Sequence, residues 1–206
     1  MAFMDEAASK APVSRDFFEG LAEAARAFKF CPACASPRLR GERGRMWVCP
    51  DCGFEYFHNV ATAAGIIIDF SGSIILLRRA KEPQRGMLGL PGGFIEPGES
   101  AEDGVLRECE EELGWAPGHI DFLASYPNIY PYQGIPYATC DLYFCAGATA
   151  LDVAKFRADP AEVAEIGRFP VEAIPWDAIA FGSLRRALRN YVLAKGIEIP
   201  ADVAGR

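Results

Sequence analysis

The 206-residue chain has no apolar run approaching the roughly 20 residues that a membrane-spanning helix requires. Its most apolar stretch, AAGIIID from Ala63 to Asp69, has the length of a strand. The opening MAFMDEAASKAPVSRDFFEGLAEAARAF has no basic segment leading into an apolar core, so no secretory leader is expected, and its acids argue against a transit peptide. A cytoplasmic protein without a membrane partner is therefore expected. Positive charge is not in excess either. With 21 Lys and Arg against 28 Asp and Glu, the net charge of −7 argues against a broad nucleic-acid footprint or an anionic membrane surface as the main partner. Histidine is scarce, and the two present, His58 and His119, stand alone and read as structural. There is no internal repeat and no low-complexity tract. Half of the residues are hydrophobic, enough for one ordinary globular domain and a small accessory module.

Cysteine, by contrast, is plentiful. Cys31 and Cys34 (CPAC) and Cys49 and Cys52 (CPDCG) form two CxxC pairs with 14 residues between them, a pattern that fits one tetrahedral four-cysteine zinc site. A disulfide framework does not suit a chain expected in a reducing compartment, and a redox CxxC does not call for two matched pairs. Cys109, Cys140 and Cys145 occur in apolar contexts and are expected to pack as small hydrophobes, the last two on opposite sides of one strand.

The organisation follows from periodicity. Phe17, Leu21, Ala24 and Phe28 form a helical stripe, giving an N-terminal helix over 1–29. A zinc ribbon over 30–58 follows, with strands near Met46–Val48 and Glu55–Phe57, and the metal supplies much of the folding energy of so small a module. The main domain spans 59–195, and a C-terminal tail spans 196–206. AAGIIIDF, a turn at SGS and IILLRR read as a hairpin, with later strands at DFLASY and ATCDLYFCAG. Ser100 and Asp103 form a capping pair for a helix that Gly114 stops. Ser183 is placed to cap a last helix carrying Leu184, Leu188 and Tyr191 and ending at Gly196. Two helices covering a sheet make an α/β sandwich.

The segment RECEEELG, residues 107–114, crowds acids onto that first long helix. Glu108, Glu111 and Glu112 stand at i, i+3 and i+4, on one face and about 5 to 6 Å apart. At an effective dielectric near 20, each like-charge pair costs roughly 3 kcal/mol before screening, so a partly hydrated cluster calls for a cation. Oxygen ligands favour Mg2+ or Mn2+. Pro91, Gly92 and Gly93 let the preceding loop approach a ligand closely, and Arg107 can reach back to Glu99 and tie loop to helix.

Residues 93–115, GFIEPGESAEDGVLRECEEELGW, resemble the Nudix box Gx5Ex7REUxEExGU. Gly93, Glu99, Arg107, Glu108, Glu111, Glu112 and Gly114 fall on its fixed positions, while Cys109 and Trp115 replace its aliphatic ones, a departure that concerns packing. Upstream, LLRRAKEPQRGMLGLPGG is similar to the family's approach to the box, with Leu88 where many members carry tryptophan. The resemblance implies a Nudix α/β/α sandwich with a mixed sheet, one to three Mg2+ or Mn2+ ions held by Glu108, Glu111 and Glu112, and hydrolysis of a nucleotide diphosphate. The general base is a glutamate of the box or one from a later loop. In DPAEVAEIGRFP, Glu162 is the first choice and Glu165 the second. A zinc ribbon before such a domain resembles the NADH pyrophosphatase group, but the SQPWPFPxS stretch of that group is absent. SYPNIYPYQGIPYATCD takes its place, and Tyr126, Tyr130 and Tyr132 are candidates to stack on a base. ADP-ribose or a related nucleotide is the expected substrate, with NADH or NAD-capped RNA as the alternative. A third reading is a non-catalytic nucleotide or RNA sensor, for which Lys29, Arg38, Arg40, Arg43, Arg45 and Trp47 of the ribbon speak. Sensors of this kind lose box acids, and none is lost here. Many family members are homodimers, though no sequence feature marks an interface.

Overall fold

Strict alternation along two neighbouring strands sets the architecture. The computed structural model describes residues 28–42 and 46–199. The expected stripe of Phe17, Leu21 and Ala24, the end of the tail and the ribbon's Arg43 and Arg45 lie outside the described residues. Among those described are β1 (Arg40–Glu42), β2 (Met46–Val48), β3 (Glu55–Phe57), β4 (Ala61–Phe70), β5 (Ser73–Arg79), β6 (Leu88–Gly89) and β7 (Gly92–Phe94). Helix α1 (Ala101–Leu113), β8 (Asp121–Tyr132), β9 (Ile135–Gly147), α2 (Ala150–Val153), β10 (Val163–Pro170) and α3 (Gly182–Ala194) follow. Two compact units result, one of residues 62–126 and 140–199, the other of 28–61 and 127–139.

The larger unit is built on a sheet ordered β10-β5-β4-β9-β8, with β6 on β5 and β7 on β4. Ile66, Ile68, Ile75 and Leu77 point to one face, where they meet Val105, Cys109 and Leu113 of α1. Ile67, Ile74 and Leu76 point to the other, against Leu184, Ala187, Leu188 and Val192 of α3. Both faces of β4 and β5 are thus buried, which is why they read as continuous apolar runs, and each such side chain contributes about 1.5 to 3 kcal/mol of burial. This is the expected α/β/α sandwich. The hairpin turn at Ser71 and Gly72 has φ of 51° and 76°, the left-handed pair that a two-residue connection requires.

Helix α1 begins and ends where its local sequence dictates. Ser100 accepts from the Asp103 backbone N–H and Asp103 answers in a capping box, and Gly114 closes the helix at φ 65° with its N–H donating to Glu110. Helix α3 differs from expectation. Its N-cap is Phe181, which makes no side-chain cap, and Ser183 lies inside the first turn. The Ser183 hydroxyl donates to Asp141 at 2.7 Å and accepts from the Tyr143 hydroxyl at 3.0 Å, a buried chain fixing α3 to β9. Burial outweighs a cap because three polar groups in the core must satisfy one another.

The tyrosine-rich stretch is extended along its length. It forms β8 and β9, turning at Gln133 and Gly134, both with positive φ. Of the three spare cysteines, Cys109 is fully buried and Cys145 packs on the α3 face, but Cys140 is exposed rather than packed.

In the smaller unit β1, β2 and β3 form an antiparallel sheet around Trp47, which is 2% exposed. Phe28, Tyr56 and His58 pack on that indole, and His58 also meets Tyr137 of the β8–β9 hairpin. His58 is thus a packing residue. Residues 127–139, placed by sequence in the 59–195 domain, cluster with the ribbon. No helix among the described residues is long and apolar enough to cross a membrane.

Candidate active site

The acids of α1 are held in place by the loop in front of them. Gly92 adopts φ 145°, a conformation open to glycine, and its N–H donates to Glu112 Oε2 at 3.0 Å. At Gly93 a side chain is excluded for a different reason. A Cβ there would lie 2.6 Å from the Glu108 carboxyl carbon, so the missing methyl is the space that the carboxylate fills. Gly104, inside α1, gives the same room to the loop, since a Cβ would stand 2.6 Å from Ile95 Cδ1 and 3.1 Å from Glu99 Oε2.

Arg107 connects these parts. Its Nε and Nη2 form a fork on the two oxygens of Glu99 at 2.7 and 3.2 Å, Nη2 also donates to Phe94 O at 3.1 Å, and Nη1 donates to Glu108 and Glu111 at 3.0 Å each. The Arg107 hydrogen bonds hold the Glu99 carboxyl below its usual range. Burial pushes Glu108 upward despite Arg107. Glu112 is pushed further, to about 8, because burial and the charges of Glu108 and Glu162 outweigh the single Gly92 N–H.

Glu162 comes to the same place from the other end of the domain. Its backbone carbonyl accepts from the Ala80 N–H at 2.8 Å, its carboxylate meets Lys81 Nζ at 2.5 Å, and its charge acts on both Glu108 and Glu112. Glu165 instead pairs with Arg78 at 2.9 Å. Arg157 N–H donates to Leu113 O at 2.7 Å, which anchors the segment before Glu162 to the end of α1. Sequence reasoning does not single out Lys81, because nothing local marks a lysine 81 residues from its partner.

Glu99, Arg107, Glu108, Glu111, Glu112, Gly92, Gly93 and Glu162 are thus gathered together. Tyr126 is not part of that group, since it lies on the other face of the sheet. Tyr126, a candidate base-stacking residue, is 8% exposed in the core on the α3 face, against Tyr143 and beneath Arg186, so its ring is already covered. Tyr130 and Tyr132 belong to the unit that contains the ribbon.

In that ribbon the four cysteines make a second polar cluster. Both knuckles use the same hydrogen bonds: Ala35 N–H to Cys31 O and Cys31 N–H to Ser36 O, then Gly53 N–H to Cys49 O and Cys49 N–H to Phe54 O. Ala35 and Gly53 both take positive φ. The four sulfurs lie within 4.8 Å of one another, with Cys31–Cys52 and Cys34–Cys49 at 3.7 Å. That spacing is too long for a disulfide and matches the edge of about 3.8 Å set by zinc–sulfur bonds of about 2.3 Å in a tetrahedron. Among the described residues this is the group whose donor atoms are so gathered. The box glutamates are more widely spread, as like charges with separate partners, Arg107 and the Gly92 N–H, should be. They nevertheless suit a hard divalent ion: Glu112 is buried with one hydrogen-bond donor, and Glu108 fills a cradle shaped by Gly93.

A family model described as the NUDIX domain matches residues 58–190. The chain belongs to the Nudix family. A protein of Chromobacterium violaceum called NAD-capped RNA hydrolase NudC is 27% identical over 187 residues, covering 90% of this chain and 63% of that relative. The Deinococcus radiodurans protein of the same name is 30% identical over 166 residues, covering 79% of this Nudix chain and 56% of the relative. The chain therefore spans less than two thirds of the length of these relatives. Among solved structures, the MutT NUDIX hydrolase of Burkholderia pseudomallei aligns with a TM-score of 0.55 at 28% identity, over 64% of this chain and 98% of that one. The NUDIX domain of Shewanella oneidensis NrtR, solved with ADP ribose, shares the fold at 20% identity and a TM-score of 0.56, over 71% and 93% of the two chains.

Proposed function

We propose that this Nudix protein hydrolyses the diphosphate bond of a nucleoside diphosphate derivative, with ADP-ribose or a related dinucleotide as substrate. The observation that carries the reading is the grouping of Glu108, Glu111 and Glu112 on one face of α1, with Glu108 packed on Gly93 and Glu112 hydrogen-bonded to Gly92. A Mg2+ or Mn2+ ion held by these three glutamates supplies charge neutralisation at the diphosphate and a lowered pKa for the attacking water. The missing side chains of Gly92 and Gly93 leave room for protein atoms, the β4 backbone at Gly92 and the Glu108 carboxylate at Gly93, where the sequence had suggested close approach by a ligand. Arg107 fixes Glu108 and Glu111 from one nitrogen while its fork on Glu99 ties the loop to the helix. Glu162 is the candidate for taking the proton from water; its charge acts on Glu108 and Glu112, whereas Glu165 is engaged by Arg78. The four cysteines hold a structural Zn2+ separate from the catalytic ions.

The names of two relatives favour a second reading, in which the substrate is NADH or the NAD cap of an RNA. Against it stands the SYPNIYPY sequence where the NADH pyrophosphatase group carries SQPWPFPxS. A panel of ADP-ribose, NADH, NAD, FAD, diadenosine polyphosphates and NAD-capped RNA, compared by kcat/KM with Mg2+ and Mn2+, separates the two. ADP-ribose cleaved to AMP and ribose 5-phosphate faster than NADH is hydrolysed supports the first. A preference of about tenfold or more for NADH or the capped RNA, about 1.4 kcal/mol in transition-state binding, establishes the second.

A further inference from the structure

We infer that Lys81 is a positioning residue of this site, which fixes the Glu162 carboxylate beside the box acids by an ion pair across the β5–β10 junction. The inference rests on the hydrolase reading above. Lys81 lies just beyond β5, and Glu162 just before β10, where Val163 pairs with Arg79. Two contacts of different kind join the segments. The Ala80 N–H donates to Glu162 O at 2.8 Å, and Lys81 Nζ meets Glu162 Oε1 at 2.5 Å.

The first contact fixes the backbone of Glu162 and leaves its side chain free to turn. Asp159 completes the backbone support by accepting from the N–H groups of Ala161, Glu162 and Val163. Lys81 is then the contact that selects the direction of the carboxylate. Without it, an acid placed near Glu108 and Glu112 is repelled by both. The charges of Asp159 and Glu112 also act on Lys81. Arg78, one residue before Arg79, holds Glu165 instead, so the two neighbouring acids of this segment have separate cations. The pair is half-exposed, with side chains 54% and 44% accessible, and such a pair adds little to stability. Loss of Lys81 therefore shows in turnover rather than in folding.

The test is a double-mutant cycle of Lys81→Met and Glu162→Gln, with Lys81→Arg as the conservative variant, in steady-state hydrolysis of ADP-ribose and NADH with Mg2+. Lys81→Met is expected to lower kcat about tenfold with KM changed less than about twofold, Lys81→Arg to restore most of the loss, and Lys81→Met to cost nothing further in the Glu162→Gln background. Additive losses, a raised KM at unchanged kcat, or wild-type kinetics for Lys81→Met would each overturn the inference. Wild-type protein and Glu111→Gln in the same assay report on the hydrolase reading by themselves. Crystal structures of wild-type and Lys81→Met protein give a readout independent of turnover. A Glu162 carboxylate displaced in the variant with the Ala80 contact kept supports the role, and an unmoved carboxylate rejects it.

Discussion

Gly92 and Gly93 are adjacent, yet alanine should act on them in opposite ways. At Gly92 the backbone sits at φ 145°, and an added Cβ would lie 2.7 Å from Gly65 Cα and overlap Ala64 O, both backbone atoms of β4. Neither can move without breaking the β4–β7 pairing of Gly65 with Gly92. Backbone strain of about 1 to 3 kcal/mol is joined by the clash, so Gly92→Ala should lower stability by roughly 3 kcal/mol. At Gly93 the atoms nearest the new methyl are those of the Glu108 carboxylate, the end of a side chain that can rotate away at a cost of order 0.5 to 1.5 kcal/mol. The loss there is functional. Displacement of Glu108 by about 1 Å should lower turnover roughly a hundredfold, while Tm falls by only about 2 to 4 °C. Thermal unfolding and kcat/KM measured on both variants check this. Wild-type turnover in Gly93→Ala, or wild-type Tm in Gly92→Ala, would refute the reasoning.

Metal analysis after extensive dialysis against Mg2+ should find one zinc per chain, and Cys31→Ser should lose it and destabilise the ribbon, because thiolates suit zinc and carboxylates suit magnesium. Asp69 presents a pH-dependent case. Burial alone would raise its carboxyl pKa, but hydrogen bonds from Lys195, Tyr191 and the Gly72 N–H hold it below the usual value. Its stabilisation is therefore fully present above the unfolded value of about 3.9 and is lost as pH falls through the lower folded value. Asp69→Asn should cost roughly 1 to 3 kcal/mol at neutral pH and progressively less in acid, as denaturant unfolding at a series of pH values will show.

The features legible in the sequence are those written in short range. The capping box at Ser100, the stop at Gly114, the SGS hairpin and the CxxC knuckles each depend on residues within about five positions. The seven box residues, spread from Gly93 to Gly114, are legible through the family pattern instead. Ser183 misleads because a serine before an apolar helix has the signature of a cap, and its real partners, Asp141 and Tyr143, come from a strand some 40 residues earlier. Tyr126 misleads because aromatic richness does not reveal which side of a strand is covered. Lys81 is invisible to sequence reasoning, since its meaning comes from the β5–β10 pairing. Local chemistry thus fixes the elements, and the pairing of distant strands decides which polar side chains meet.

A diphosphate hydrolase needs a divalent ion, and Glu108, Glu111 and Glu112 are the residues proposed to hold it. Glutamine in place of Glu111 or Glu112 preserves shape and removes the charge. Of the two, Glu112 carries a second readout, because a carboxyl pushed up to about 8 must shed its proton when the ion binds. Titration calorimetry of wild-type protein with Mn2+ at pH 7, in buffers of different ionisation enthalpy, should register proton release that Glu112→Gln abolishes. In the same preparations, turnover should fall by orders of magnitude in both variants while the fold is kept. Equal Mn2+ affinity and undiminished turnover in the two glutamine variants would contradict the claim.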